Sequence, residues 1–173
     1  MTELCHLPSW ALNVLEVYNY KTSGPYSYWY DYIQNGMENV PGDLIEVGVF
    51  RGRTFATTTY LCSKLSLPRY VYGFDTFGGF PDTENILDQP EQFERLLAEG
   101  SISEDHYNLV CLNKELLKSK DVQFSVSSSS SSGNFSGTSV ELVQNKLKFL
   151  GLSNYRLVAG DTEVTMNDSQ LPK

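Results

Sequence analysis

The sequence predicts an α/β fold: a parallel sheet of about three strands with flanking helices, preceded by an aromatic helical cap. Two observations carry that expectation. Residues 43–75 run strand, glycine-bearing turn, helix, strand, the order of a βαβ unit. A helix followed by an apolar strand then returns over residues 138–159.

Length and composition agree with a globular domain. The chain has 173 residues, 40% of them hydrophobic and 20% charged, enough to bury a core. Its formal net charge of −8, without a clustered basic stretch, argues against a nucleic-acid backbone or an anionic membrane as partner. The start, Met-Thr-Glu-Leu-Cys-His, resembles neither a secretory signal nor a transit peptide, and no run is long enough to span a membrane. Cys5, Cys62 and Cys111 lack metal-type spacing and read as reduced thiols of a cytoplasmic protein. No zinc site is expected from His6 and His106, which lie in unrelated contexts.

Taken in order, residues 1–40 form the cap. Ser9 is a candidate helix cap, with Leu12, Leu15, Val17 and Tyr18 as apolar positions. Tyr26, Tyr28, Trp29, Tyr30 and Tyr32 follow the Gly24-Pro25 breaker, either packing on the sheet or lining a pocket. Pro41-Gly42 turns the chain into Asp43–Phe50, a run apolar on both faces and so expected to be covered by helices on each side. Residues 41–173 are read as one partial α/β domain. A helix is expected over Arg53–Leu65, with Phe55, Thr59, Cys62 and Leu65 on one face, and Pro68 closes it. Arg69–Asp75 is the second strand.

Residues 76–137 read as a long lid or linker insertion, with helices near 91–99 and 104–117. The acids Asp82, Glu84 and Asp88 lie in its first part, and Ser127–Ser132, closed by Gly133, reads as a flexible linker. Thr138 and Glu141 have capping-box spacing ahead of Val140, Val143, Leu147 and Leu150. Lys146 and Lys148 suit the helix end and Gly151 its termination. Tyr155–Ala159 is the third strand, and one more turn or short helix follows. Three strands do not complete a doubly wound domain.

The stretch from Glu46 to Thr54 carries the chemistry. Ligands of open α/β sheets sit outside the carboxyl ends of the strands. Gly48 would let the backbone pass close to a ligand, and Gly52 would let the next helix start tightly against the strand. Helix amides and the Thr54 hydroxyl suit an anion, and Glu46 an ammonium, which together describe an amino-acid moiety. Asp75 ends the second strand where a ribose diol is held. Asp161, beside Thr162, ends the third where an adenine edge can be read. Amino acid, ribose and base in that order describe S-adenosylmethionine. A dinucleotide site is disfavoured, because Phe50 and Arg53 stand where Gly-x-Gly-x-x-Gly needs glycine. A Gly-Lys-Ser/Thr phosphate loop does not occur.

At these residues the sequence resembles the macrocin O-methyltransferase (TylF/MycF-type) family. The matching stretches are residues 41–52, 72–81 and 133–143, continuing to Gly160-Asp161-Thr162. The Glu-x-Gly-x-x-x-Gly-x-Thr spacing is also similar to that of catechol-type O-methyltransferases. The resemblance implies the N-terminal half of a Rossmann-like class I methyltransferase fold, S-adenosylmethionine as methyl donor, Mg²⁺ for the full-length enzyme, and a small-molecule hydroxyl, such as a sugar's, as acceptor. Glu46, Gly48, Phe50, Gly52, Thr54, Asp75, Thr76, Asp161 and Thr162 would then be cofactor-binding. The family's metal-binding aspartates follow strands expected beyond residue 173, so no metal ligand or catalytic residue is assigned. Two alternatives stand beside this reading: a related antibiotic-pathway hydroxylase-type protein, and an inactive, truncated domain. Without a fourth strand, Leu44, Ile45, Val47 and Val49 would form an exposed edge, and self-association into homo-oligomers is expected.

Overall fold

Strands β1 (Leu44–Val47), β2 (Val71–Asp75) and β3 (Tyr155–Ala159) pair in parallel in the order β1-β2-β3. The register sets Val47 beside Phe74 and Phe74 beside Val158, so the carboxyl ends of all three strands lie together. This computed structural model describes residues 3–37, 40–79, 92–120, 135, 137–167 and 171. The serine run Ser127–Ser132 and the acids Asp82, Glu84 and Asp88 lie outside them.

The helices in chain order are α1 (Ser9–Leu15), α2 (Ser27–Asn35), α3 (Arg53–Lys64), α4 (Gln92–Ala98), α5 (Glu104–Ser119), α6 (Val140–Phe149) and α7 (Thr162–Thr165). Met1–Phe77 together with Thr138–Lys173 form one compact unit, and Gly78–Gly137 another. Within the second unit, Phe93 stacks on His106 and the Tyr107 hydroxyl bonds Glu94 at 3.2 Å, joining α4 to α5.

The core of the first unit draws on the first forty residues as much as on the sheet. Leu4, Leu12, Val17, Tyr20, Tyr30, Ile33 and Met37 are buried in the same cluster as Phe55, Leu61, Val71, Val143 and Leu147. Three consecutive threonines of α3 are buried with them, and two bind that segment. Thr57 accepts the Tyr18 amide at 2.9 Å, and Thr58 accepts the Trp29 indole N–H at 3.0 Å. The Thr59 hydroxyl returns to the Phe55 carbonyl at 2.7 Å.

Helix ends explain several departures from expectation. Ser9 is the first helical residue rather than the cap; Pro8 holds the cap position with no side-chain bond. Glu16 then turns left-handed at φ 49°, and the Val17 amide reaches back to the Leu12 carbonyl at 3.0 Å. That Schellman closure puts Val17 and Tyr18 past the helix. At α6 the cap is Ser139, accepting the Leu142 amide at 3.1 Å, one residue later than the capping-box spacing suggests. Thr138 instead donates its hydroxyl to the Phe50 carbonyl. Gly151 does end α6, with the Leu152 amide on the Leu147 carbonyl at 3.0 Å.

Coverage of β1 also differs from expectation. Ile45 and Val47 are 43% and 54% exposed, so the strand is covered on one face only among the described residues. Val49 is buried and Leu44 half-buried, which removes both from the expected exposed edge. Leu65, expected on the buried face of α3, is exposed.

Candidate functional site

Beyond Val47 the chain must leave the strand and enter α3 within five residues, and its backbone shows the cost of doing so. Gly48, Phe50 and Gly52 all have positive φ, at 81°, 51° and 71°. At Gly48 a Cβ would meet nothing within 4 Å, so the space beside this backbone is open. At Gly52 a Cβ would lie 2.9 Å from Val143 Cγ1. The close approach expected between helix and strand is therefore made with α6 instead. Phe50 carries the strain of a left-handed non-glycine residue.

What holds Phe50 there is Asp75. Its Oδ2 accepts the Phe50 amide at 2.7 Å, and its Oδ1 accepts the Phe77 amide at 2.7 Å. Phe77 is also left-handed, at φ 53°. The Thr76 hydroxyl donates to the same oxygen at 3.4 Å. From the other side Lys146 donates to the Arg51 carbonyl at 2.5 Å and to the Glu16 carbonyl at 3.2 Å. Arg51 in turn pairs with Glu16 at 2.9 Å. Burial pushes the Lys146 ammonium below its ordinary range, with Glu16 opposing that shift. Lys146, expected to serve its own helix end, instead pins the bend.

A cavity of about 380 Å³ opens beside this bend, within the roughly 300–1,000 Å³ typical of small-molecule sites. Leu44–Gly48, Val71, Thr54 and Thr58 line it together with the aromatic residues Tyr26, Tyr28 and Trp29. Burial pushes the Glu46 carboxyl up to about 8; the Phe55 amide opposes the shift and the Asp75 charge adds to it. An opposite charge placed beside this carboxyl would favour its ionised form.

The expected site residues divide into three groups. Glu46, Gly48 and Thr54 line the one cavity. Phe50, Asp75 and Thr76 form the hydrogen-bonded corner next to it. Gly52 serves packing against α6, while Asp161 caps α7, accepting the Glu163 amide at 2.9 Å, with Thr162 as the first residue of that helix. The cavity adds Thr58, which sequence reasoning did not single out; its signal was the run of three threonines on an otherwise apolar helix. Arg53 points away, with Nη2 3.2 Å from Asn13 and its guanidinium over the Tyr18 ring. A larger cavity of about 840 Å³ lies at the amino ends of β1 and β2, away from the strand ends that bind ligands. There the two Nη atoms of Arg69 donate to the Met37, Val40 and Gly42 carbonyls.

Fold and site together define a Rossmann-like α/β domain with a small-molecule cavity that runs along its first strand to the glycine turn at its carboxyl end. The chain belongs to the macrocin-O-methyltransferase (TylF) family, whose profile matches residues 32–150. Among solved structures it is similar to that of the O-methyltransferase NovP, at 19% identity and a TM-score of 0.45. The match covers 92% of this chain and 48% of that one, so the chain spans about half its length. No curated protein matches. No helix among the described residues is long and apolar enough to cross a membrane.

Proposed function

We propose that this chain binds S-adenosylmethionine and supplies the donor pocket of an O-methyltransferase acting on a small-molecule hydroxyl. The observation that carries the reading is Glu46: a half-buried carboxyl lining a cavity, between the open backbone of Gly48 and the first turn of α3. On binding, the ligand ammonium draws the Glu46 carboxyl into its ionised form. The α3 amides and Thr54 take the ligand carboxylate. Gly48 leaves room for the chain that joins them. Tyr26, Tyr28 and Trp29 border the cavity, and their electron-rich faces suit a sulfonium. Bound this way, the cofactor would present its methyl group to an acceptor oxygen.

Asp75 and Asp161 are proposed as ribose and adenine contacts through the lone pairs left after their internal bonds. Each carboxylate oxygen accepts more than one donor. Among the described residues no trio of Asp, Glu, His or Cys converges at this cavity. The Mg²⁺ implied by the family resemblance thus has no seat among them, and none of them is assigned the activation of the acceptor oxygen.

Calorimetry of the full chain with S-adenosylmethionine and S-adenosylhomocysteine tests the reading. Binding is expected for both, weakened at least about tenfold by Glu46→Gln, the loss of one charge-assisted hydrogen bond. Gly48→Ala places a methyl in the open space at a left-handed position, so it is expected to weaken binding and also to lower stability through backbone strain. Absence of heat with either nucleoside would overturn the assignment.

A further inference from the structure

Far along the sequence from this cavity, the first turn of the chain brings together donors that the mechanism does not use. Glu3, Cys5 and His6 each place a ligand atom within 4.8 Å of the others. The turn Leu4–His6 is a short 3₁₀ helix, anchored by Leu4 in the core. The Asn19 side-chain Nδ2 donates to the Cys5 carbonyl at 3.3 Å, and the Glu3 carbonyl accepts the His6 backbone amide at 2.9 Å. The backbone that presents these side chains is therefore set in advance.

The spacing fits a metal. A tetrahedral zinc with Zn–S of about 2.3 Å and Zn–O of about 2.0 Å keeps sulfur and oxygen about 3.5 Å apart. Cys5 Sγ and Glu3 Oε2 are 3.4 Å apart. The Tyr20 hydroxyl, from a ring buried in the core, lies 3.1 Å from the sulfur and 3.5 Å from the carboxylate. A cation already stands among these oxygens: Lys64 Nζ is 3.0 Å from Glu3 Oε2 and 2.7 Å from the Tyr20 hydroxyl. Both partners of that ion pair are partly exposed, so the pair is weak and displaceable.

We propose that Glu3, Cys5 and His6 bind a borderline-soft divalent ion of the Zn²⁺ class, with Tyr20 or water completing four-coordination and Lys64 holding its place in the metal-free chain. Thiolate and imidazole select such an ion over Mg²⁺ or Ca²⁺, which take oxygen ligands. Binding deprotonates the Cys5 thiol, and its proton leaves to solvent. The ion would tie the first turn to the segment after α1, a structural role independent of methyl transfer.

Titration of the reduced full chain with Co²⁺ tests this. One equivalent is expected to produce the intense thiolate-to-cobalt charge-transfer absorption, bleached by added Zn²⁺. Cys5→Ser should abolish the band and Cys111→Ser should keep it. His6→Ala should weaken binding by more than the roughly tenfold that even an outer partner costs. Lys64→Met, which removes the competing cation, should tighten binding about fivefold, the effect of one like charge near 4 Å in water. A wild-type chain without the band, a Cys5→Ser variant that retains it, or a Lys64→Met variant that binds no more tightly would each overturn the site.

Discussion

Asp75 accepts the amide of Phe50 at 2.7 Å across the carboxyl ends of β1 and β2, and so clamps a left-handed residue in the bend that edges the cavity. The same carboxylate holds the left-handed Phe77. Charge-assisted bonds of this kind contribute about 1.5–3 kcal/mol each. Asp75→Ala is therefore expected to destabilise the chain by about 3 kcal/mol in urea unfolding, quite apart from any ligand. Adding Phe50→Gly, which removes the left-handed penalty of about 1–2 kcal/mol, should recover part of the loss. A single variant within 0.5 kcal/mol of wild type in that titration would show that the clamp does not hold the bend.

Gly52 and Val143 give a second test. Gly52→Ala meets both a positive φ and a methyl 2.9 Å away, and should cost about 2–3 kcal/mol. Val143→Ala in the same chain relieves the collision but not the backbone strain, so the two changes should couple favourably in a double-mutant cycle. Strict additivity would mean that α6 does not approach the bend so closely.

The titration of Glu46 makes a signed prediction. Its folded value of about 8 lies above the ordinary 4.5, so folding favours the protonated form. That contribution is complete below about pH 4.5 and is lost as pH rises toward about 8. Glu46→Gln should accordingly flatten the fall in Tm across this window. Affinity for S-adenosylmethionine, which needs the ionised carboxylate, should rise with pH over the same range in the wild type and stay level in the variant. Parallel Tm profiles for the two proteins would remove Glu46 as the titrating group.

The open side of β1 predicts association. Ile45 and Val47 are exposed on a strand with one neighbour among the described residues. Sedimentation velocity should show concentration-dependent self-association, reduced by Ile45→Lys with Val47→Lys, since charge on an edge discourages pairing. A monodisperse monomer at high concentration would contradict this.

The strands and α3 were legible because local pattern and tertiary role coincide there. Glu46, Gly48 and Thr54 converge as their spacing implied, since a strand-turn-helix of this length admits few paths. The wider β2 and β3 ends were harder to read. That Asp75 spends both oxygens on amides depends on the left-handed turns at Phe50 and Phe77, for which neither aromatic residue carries a sequence signal. The shift of the cap from Thr138 to Ser139 has a similar origin, because the Phe50 carbonyl, distant in sequence, claims the Thr138 hydroxyl. Lys146 reads as an end-of-helix charge until Glu16 and Arg51 are brought beside it. The Glu3, Cys5 and His6 cluster follows no standard ligand spacing, and Tyr20 and Lys64 join it only through folding.

The threonines of α3 bear on how relatives could diverge. Thr57 and Thr58 give their oxygens to Tyr18 and Trp29, so the aromatic wall of the cavity is welded to the helix that starts at the bend. A transplant of residues 1–40 from a relative would deprive the buried Thr58 oxygen of its indole donor unless the new chain offered one at the same point, whereas Thr57 needs only a backbone amide and keeps its own bond to the Arg53 carbonyl. Replacement of the rings that line this cavity is thus constrained to proceed one at a time, with the scaffold beneath them kept.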